Sequence, residues 1–406
     1  MLTKVRIQGN DGGMIMLNFA GMNIAQVNRY MKGFSKIIKW GESRQFMYNR
    51  YSKRSKWKCG ILSFCLFVAI FFSSTRSPFG EDVPPLPIED NKFGERCPPG
   101  FCQMPQGFLM SQRDMAFGVH FIDDKRGWIV GNCGLALMTP DGGISWEKIN
   151  IANQNFKDIY FVGENGWIVG DGGLILHTSD GGINWTRQQS NIKNPLTSVF
   201  FLDKENGFAV GTDGMILTTS DGGASWKAID IDWTSIISEE LISNGIICIN
   251  LYDVFFSNKL CGWIVGDCGT VLKSVDGGET WDVSQMGLLP PLFSVCFKND
   301  REGWAVGQNG YFLKTEDGGK TWQKVPRIVE KSLYKIGMNG NYGIIVGDNG
   351  VISKTNDGGS TWVPISLDLK RPYPWLADAF ILPSDSFAHV YIVGKSVVLL
   401  TRINGR

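Results

Sequence analysis

Histidine is scarce: the 406-residue chain holds three, His120, His177 and His389. They fall at unrelated places in the repeat pattern described below, and no C-x-x-C occurs. A zinc site and a Ser-His-Asp arrangement are therefore both without support. There is little net charge, +1 in all, and residues 59–406 carry an excess of nine acids. A nucleic-acid partner is not expected from such a body. The glycines join strand-like segments instead of opening helices, which excludes a phosphate-cradling loop. No cofactor, metal or small-molecule substrate is expected.

Long hydrophobic runs are equally rare. The exception is Cys59–Ser74, CGILSFCLFVAIFFSS, preceded by Arg50, Lys53, Arg54, Lys56 and Lys58. Sixteen helical residues reach roughly 24 Å, so flanking residues must help them cross a core of about 30 Å. The basic flank comes first, which keeps residues 1–58 in the cytoplasm and exports the remainder. Ser73-Ser74-Thr75 is a poor cleavage site, which favours an anchor over Cys59–Thr75 above a removed signal peptide. Met47 is an alternative start that would leave a short basic leader before the run. A proline-rich stretch, 76–106, reads as a linker. Beyond the apolar run lie seven cysteines, Cys97, Cys102, Cys133, Cys248, Cys261, Cys268 and Cys296, so at least one is unpaired.

Glycine and tryptophan are abundant, 50 and 14 residues, and they recur in one phrase. GWIVGDGGLILHTSDGGINW (Gly166–Trp185) returns at Gly127–Trp146, Gly207–Trp226, Gly262–Trp281, Gly303–Trp322 and Tyr342–Trp362. A worn seventh copy, Val390–Gly405, stops before the DGG. The leading aspartates Asp141, Asp180, Asp221, Asp276, Asp317 and Asp357 are spaced 39, 41, 55, 41 and 40 residues apart. A strand-rich period near 40 residues predicts propeller blades. The expected fold is all-β, a seven-bladed β-propeller over 107–406 with one N-terminal transmembrane helix before it.

Each repeat reads as four strands, A to D, from hub to rim. Paired glycines at the B–C junction suit tight turns of positive φ. The third repeat carries an insertion, about Ile231–Gly245, expected to hold a short helix. With no box in the seventh repeat, its outer strand must come from elsewhere; Gly107–Met110 is the expected donor. In the DGG box the Asp accepts backbone N–H groups of its own turn and a Ser or Thr hydroxyl braces it. The box indoles Trp146, Trp185, Trp226, Trp281, Trp322 and Trp362 then drop between sheets. That reading makes the boxes structural; a ligand at each Asp is disfavoured because the hairpins point apart.

The column at the start of strand A is Gly118, Asp158, Ser198, Asp253, Ser294, Lys335 and Asp378, expected near the mouth of the central channel. It serves either to tie blades together or as catalytic carboxylates. The column before it, Phe117, Lys157, Thr197, Tyr252, Phe293, Tyr334 and Ala377, serves as blade packing or as a binding rim. The loops from D to A vary most, and LKRPYPW (369–375), with Trp375, and MGLLPP offer residues of the kind that anchor partners.

The box is similar to the BNR or Asp-box of sialidases. The longer phrase, G-W-x-V-G-x-x-G followed by D-G-G-x-[ST]-W, resembles the photosystem II stability/assembly factor family over about 285 residues. That resemblance implies a non-enzymatic propeller on the periplasmic or thylakoid-lumenal side that helps assemble membrane-protein complexes. It also implies an arginine-rich patch, whereas Arg113, Arg126, Arg187, Arg301, Arg327, Arg371 and Arg402 are scattered here. The expected role is thus a single-pass, inner-membrane scaffold that binds a membrane-protein partner. The alternative is a glycan-binding or sialidase-like glycoside hydrolase, which needs converging arginines and a Tyr–acid couple.

Overall fold

The computed structural model describes residues 3–8, 14–19, 102–103, 110–246, 249–365, 373–383 and 387–404. Two compact units are present. In the first, Met1–Asn91 with Ile242–Gly245, strands Thr3–Gln8 and Met14–Phe19 pair antiparallel from Thr3↔Phe19 to Gln8↔Met14. This hairpin was not apparent as a pattern in the basic head. The apolar run, Met47 and most of the linker lie outside the described residues. Among the described residues no helix is long and apolar enough to cross a membrane.

The second unit is the propeller: seven four-stranded antiparallel sheets. The A strands are Ala116–Phe121, Phe156–Val162, Leu196–Phe201, Leu251–Phe256, Leu292–Phe297, Leu333–Asn339 and Leu376–Pro383. Each packs against the next, and Leu376–Pro383 packs against Ala116–Phe121, which closes the wheel. Successive strands alternate direction, so the D–A and B–C connections share one face. The A–B loops and DGG turns share the other. The insertion after blade three holds two short helices, Trp233–Ile236 and Glu239–Ser243, in place of the expected one.

Six blades take their four strands consecutively. The seventh takes Leu376–Pro383, Phe387–Gly394 and Val397–Asn404, then Cys102–Gln103 on its outer edge. The expectation of an N-terminal donor holds, but Gly107–Met110 is not that donor. Cys102 pairs with Leu400 and Gln103 with Leu399, placing the strand inside the stretch read as linker. A two-residue strand carries no alternation for a pattern reading to detect.

Between blades the core is built from the B-strand aromatic of one and the A strand of the next. Trp128 and Val130 of blade one meet Phe156, Ile159 and Phe161 of blade two. Trp128, Trp167, Trp263 and Trp304 are almost wholly buried, each side chain contributing about 2–3 kcal/mol. Three of these indoles also donate forward into the next blade's DGG turn. Trp128 Nε1 reaches the Gly181 carbonyl at 3.2 Å, Trp167 that of Gly222 at 3.0 Å, and Trp263 that of Gly318 at 3.3 Å.

Within the first turn, Thr139 Oγ1 and the Ser145 N–H both donate to Asp141 Oδ1 at 2.8 Å, and Ser145 Oγ donates to Oδ2 at 2.6 Å. The same pattern recurs at Asp180, where Asn184 takes the serine's place, and at Asp221, Asp276, Asp317 and Asp357. Trp146 then meets Phe121 edge-on, ring centres 6.1 Å apart at 86°.

The paired glycines of the B–C junction turn out to do different jobs. Gly134 has φ of 75° and needs glycine's freedom. Gly131 is extended, with φ of −170°. There a Cβ would lie 2.0 Å from the Met115 carbonyl oxygen, so the residue is glycine because strand A's backbone passes too close.

Candidate functional site

The innermost strands all break register at one place. Ala116 pairs with Gly131 and Gly118 with Val130, leaving Phe117 as the extra residue of a bulge. The same slip isolates Lys157, Thr197, Tyr252, Phe293, Tyr334 and Ala377. A bulge re-aims a side chain and sharpens the local twist. Repeated seven times around an axis, it turns this column onto the channel mouth at the D–A face. There Tyr252 meets Phe293 with ring centres 5.4 Å apart, and Phe293 meets Tyr334 at 5.7 Å. Phe117 stacks on Trp375 at 5.8 Å while Lys157 Nζ lies 4.9 Å above the Phe117 ring. All of these rim residues are half-buried. Farther out on the same face, Leu288 and Leu289 of the MGLLPP loop are exposed.

The next residue of each A strand forms a polar ring below the rim. At Asp158, Asp253, Ser294 and Asp378 its hydrogen bonds follow a rule: the ring side chain of one blade accepts the N–H that follows the ring residue of the next. Asp158 Oδ2 accepts Val199 N–H at 2.9 Å, and Asp253 Oδ2 accepts Val295 N–H at 3.1 Å. Ser294 Oγ accepts Ile336 N–H at 3.3 Å. Asp378 Oδ2 accepts Val119 N–H at 2.9 Å, which joins the last blade to the first. Gly118 and Lys335 offer no acceptor. Following Asp158, Ile159 N–H turns to that same carboxylate, at 2.8 Å. Serines complete the circuit, Ser198 Oγ lying 2.9 Å from Asp158 and 3.2 Å from Asp253, and Ser294 Oγ 2.7 Å from Asp253.

Lys335 is the counter-charge. Its Nζ crosses the hub to lie 3.6 Å from Asp253 and 3.9 Å from Asp378. Burial works against its charge, but Asp253, Asp378 and Asp158 together outweigh it and hold its pKa above the usual range. Three carboxylates share this one ammonium. Burial lifts Asp158 to about 7, opposed by Lys335 and reinforced by Asp378. Asp378 is also raised, again by burial first. Beneath the ring, His120, Tyr160, Phe200, Phe255 and Phe380 form an aromatic layer interrupted by Cys296 and Gly337; His120 lies 4.8 Å from Phe380 and 4.9 Å from Tyr160, and Tyr160 4.9 Å from Phe200. Burial, with the Lys335 charge, lowers His120 to about 3 and keeps it neutral.

The column Asp158, Asp253, Lys335 and Asp378 is thus brought together, and Tyr252, Phe293 and Tyr334 form one row above it. Trp375 lies across the mouth against Phe117 instead of on a free loop tip. The DGG aspartates and their tryptophans lie on outer hairpins, far from this ring in each sheet. Among the described residues Cys133, Cys261 and Cys296 are free thiols. Among the described residues no cluster of three or more His, Cys, Asp or Glu side chains could hold a metal ion.

Hydrolysis by a sialidase-like route fares poorly on this geometry. Arg126 is engaged by Asp123 and Glu164 at 2.8 and 2.7 Å in an A–B loop, and Arg301 reaches the Glu316 carbonyl. Both loops belong to the face opposite the aromatic mouth. A tyrosine–carboxylate couple exists, missed in the sequence: Tyr252 Oη donates to Asp267 Oδ1 at 2.7 Å. Burial and the Asp267 charge hold that phenol well above its ordinary range, the reverse of what a nucleophile needs. Asp267 recurs as Asp171 and Asp348 at the same repeat position but gives way to Asn132, Thr212 and Gln308 elsewhere, and no other copy has a histidine at the position of His120.

The model of the family described as photosynthesis system II assembly factor YCF48 matches residues 108–197, 245–327 and 288–380. The chain belongs to that family. A structure of YCF48 bound to a D1 peptide is 21% identical, with 75% of this chain and 97% of the other covered at a TM-score of 0.58. YCF48 from Cyanidioschyzon merolae is likewise 21% identical, covering 74% and 98%, at a TM-score of 0.59. An ancestral GH74 enzyme is similar at 14% identity, covering 74% of this chain and 47% of the enzyme, at a TM-score of 0.57. At these identities the solved structures speak for the fold. No curated protein matches the chain.

Proposed function

We propose that this chain is a membrane-tethered, exported assembly factor that binds exposed peptide segments of a membrane protein while its complex is built. The observation that carries this reading is the family match, which spans blade one to blade seven instead of a single repeat. The D1 peptide held by a YCF48 relative supports a client that is itself a membrane protein. The apolar run Cys59–Thr75, with its basic flank first, supports an inner-membrane anchor and a propeller in the periplasm, or in a thylakoid lumen in a photosynthetic host. The face carrying the D–A loops is the proposed binding face, since the rim aromatics and Leu288 and Leu289 emerge there. Catalysis is not part of the proposal; the likeness to a GH74 enzyme is one of fold.

The test is an array of overlapping peptides covering the exported loops and termini of the host's membrane proteins, probed with the detergent-solubilised full chain. Capture of a discrete set of segments, repeated by cross-linking in native membranes, is the expected result. No captured segment in either format would refute the reading. Turnover on a panel of oligosaccharides would replace it with the glycoside hydrolase alternative.

A further inference from the structure

The hub ring is out of balance in charge and in hydrogen bonds. Lys335 is the ammonium that faces Asp158, Asp253 and Asp378, so the ring holds more negative than positive charge. Asp158 and Asp253 have both carboxylate oxygens engaged by N–H, hydroxyl or ammonium groups. Asp378 does not. Its Oδ2 takes Val119 N–H, but its Oδ1 is buried without a hydrogen-bond donor, 3.9 Å from Lys335 Nζ, in a residue 7% exposed. A buried carboxylate oxygen left without a donor is costly, and such atoms are rare in native proteins.

Directly above stands the rim that the seven bulges create. Aromatic faces attract cations, and this rim already shows it, with Lys157 Nζ over Phe117. The ring beneath is accessible from the channel: Asp158 is half-buried and the Lys335 side chain is 30% exposed. The missing partner is therefore a donor of positive charge that arrives through an aromatic mouth.

We propose that the channel mouth is the client-binding site itself, and that it takes a peptide segment whose Arg or Lys side chain enters the hub while flanking apolar residues lie on Phe117, Tyr252, Phe293 and Trp375. The inference rests on the assembly-factor reading and narrows it to the chemistry of the segment. The guanidinium or ammonium donates to Asp378 Oδ1 and offsets the surplus carboxylate charge, while Lys335 sets a limit of one further cation. An acidic segment is rejected by the same ring.

The test uses labelled peptides Ac-Gly-Leu-Phe-Xaa-Phe-Leu-Gly-amide, with Arg, Lys, Gln or Glu at Xaa, and fluorescence anisotropy on the solubilised full chain. The Arg and Lys peptides are expected to bind at least about tenfold more tightly than Gln, with Glu weakest. Asp378→Asn should abolish the Arg-over-Gln preference. Lys335→Met, in contrast, should tighten the Arg peptide about tenfold, a gain that a merely structural lysine would not produce. Thermal melts identify any variant that fails to fold, and Phe293→Ser, which leaves the ring intact, should weaken all four peptides together. Equal binding of Arg and Gln peptides, or an unchanged preference in folded Asp378→Asn, overturns the proposal. If the full chain captures arrayed client segments that lack Arg and Lys, the assembly role stands and this site falls. If it captures none, both fall.

Discussion

Tyr391 of blade seven donates its phenolic hydrogen to the Gly142 carbonyl of blade one at 2.9 Å. Elsewhere this forward reach, from a B strand into the next blade's DGG turn, belongs to an indole. At the seam where the wheel closes, a tyrosine takes over the task, stacking on Phe121 at 3.8 Å. Burial, with Asp124 nearby, lifts its pKa to about 12, so the hydroxyl remains a donor over the whole working range. Tyr391→Phe keeps the stack and deletes the bond. The expected loss is about 1 kcal/mol in urea unfolding, with an unchanged m-value.

Blade three offers a natural control for the indoles, because Phe208 occupies the position of Trp128, Trp167 and Trp263. Trp167→Phe reproduces that arrangement in blade two. It removes the bond to Gly222 and part of a fully buried ring that stacks on Phe201 at 3.4 Å. A loss of about 2–3 kcal/mol is expected, larger than for Tyr391→Phe, and comparison of the two urea midpoints checks the order.

Ser353 stands in strand C of blade six where Leu137, Leu217, Leu272 and Leu313 stand in other blades. It is 0% exposed and its Oγ has no hydrogen-bond partner. Replacing a buried, unsatisfied hydroxyl removes a desolvation cost. Ser353→Ala is expected to raise stability by about 1 kcal/mol, visible as a higher melting temperature; a lower one would disprove the account.

The hub and the DGG turns titrate in separate windows. Asp158 holds its proton to about pH 7 in the folded state, while an unfolded Asp releases it near 4. Between those values the folded chain binds more protons, so this group's contribution to stability falls as pH rises, and stays low above 7. Asp180, Asp221 and Asp276 lie near 2, held down by the N–H and hydroxyl groups of their own turns. Their contribution is present above pH 4 and is lost as pH drops from 4 towards 2. Melts of Asp158→Asn beside the parent chain isolate the first effect. The parent should lose stability relative to the variant between pH 4 and 7, with no further divergence above.

The repeat phrase made the wheel legible because its glycines, aspartates and indoles each serve a fixed position in every blade. The inner column was legible for the same reason: Asp158, Asp253, Lys335 and Asp378 align by counting from the phrase. What they bond to was not. Asp158 serves its own strand as well as the next blade where the preceding blade presents Gly118, a relation between copies and not within one. The first glycine of each pair was read as a turn residue, because sequence records small size without recording what presses against it. Cys102–Gln103 escaped notice because the strand it joins lies some 300 residues away in the chain.

That last pairing sets a condition on biosynthesis. The segment that finishes the seventh sheet is made before the first blade, yet its template, Val397–Asn404, is made only after the sixth. Such a distant contact is slow to form and cannot be rehearsed early. A nascent chain interrupted short of Val397 keeps both borders of the circle unsealed, so synthesis through this strand is written into the lock.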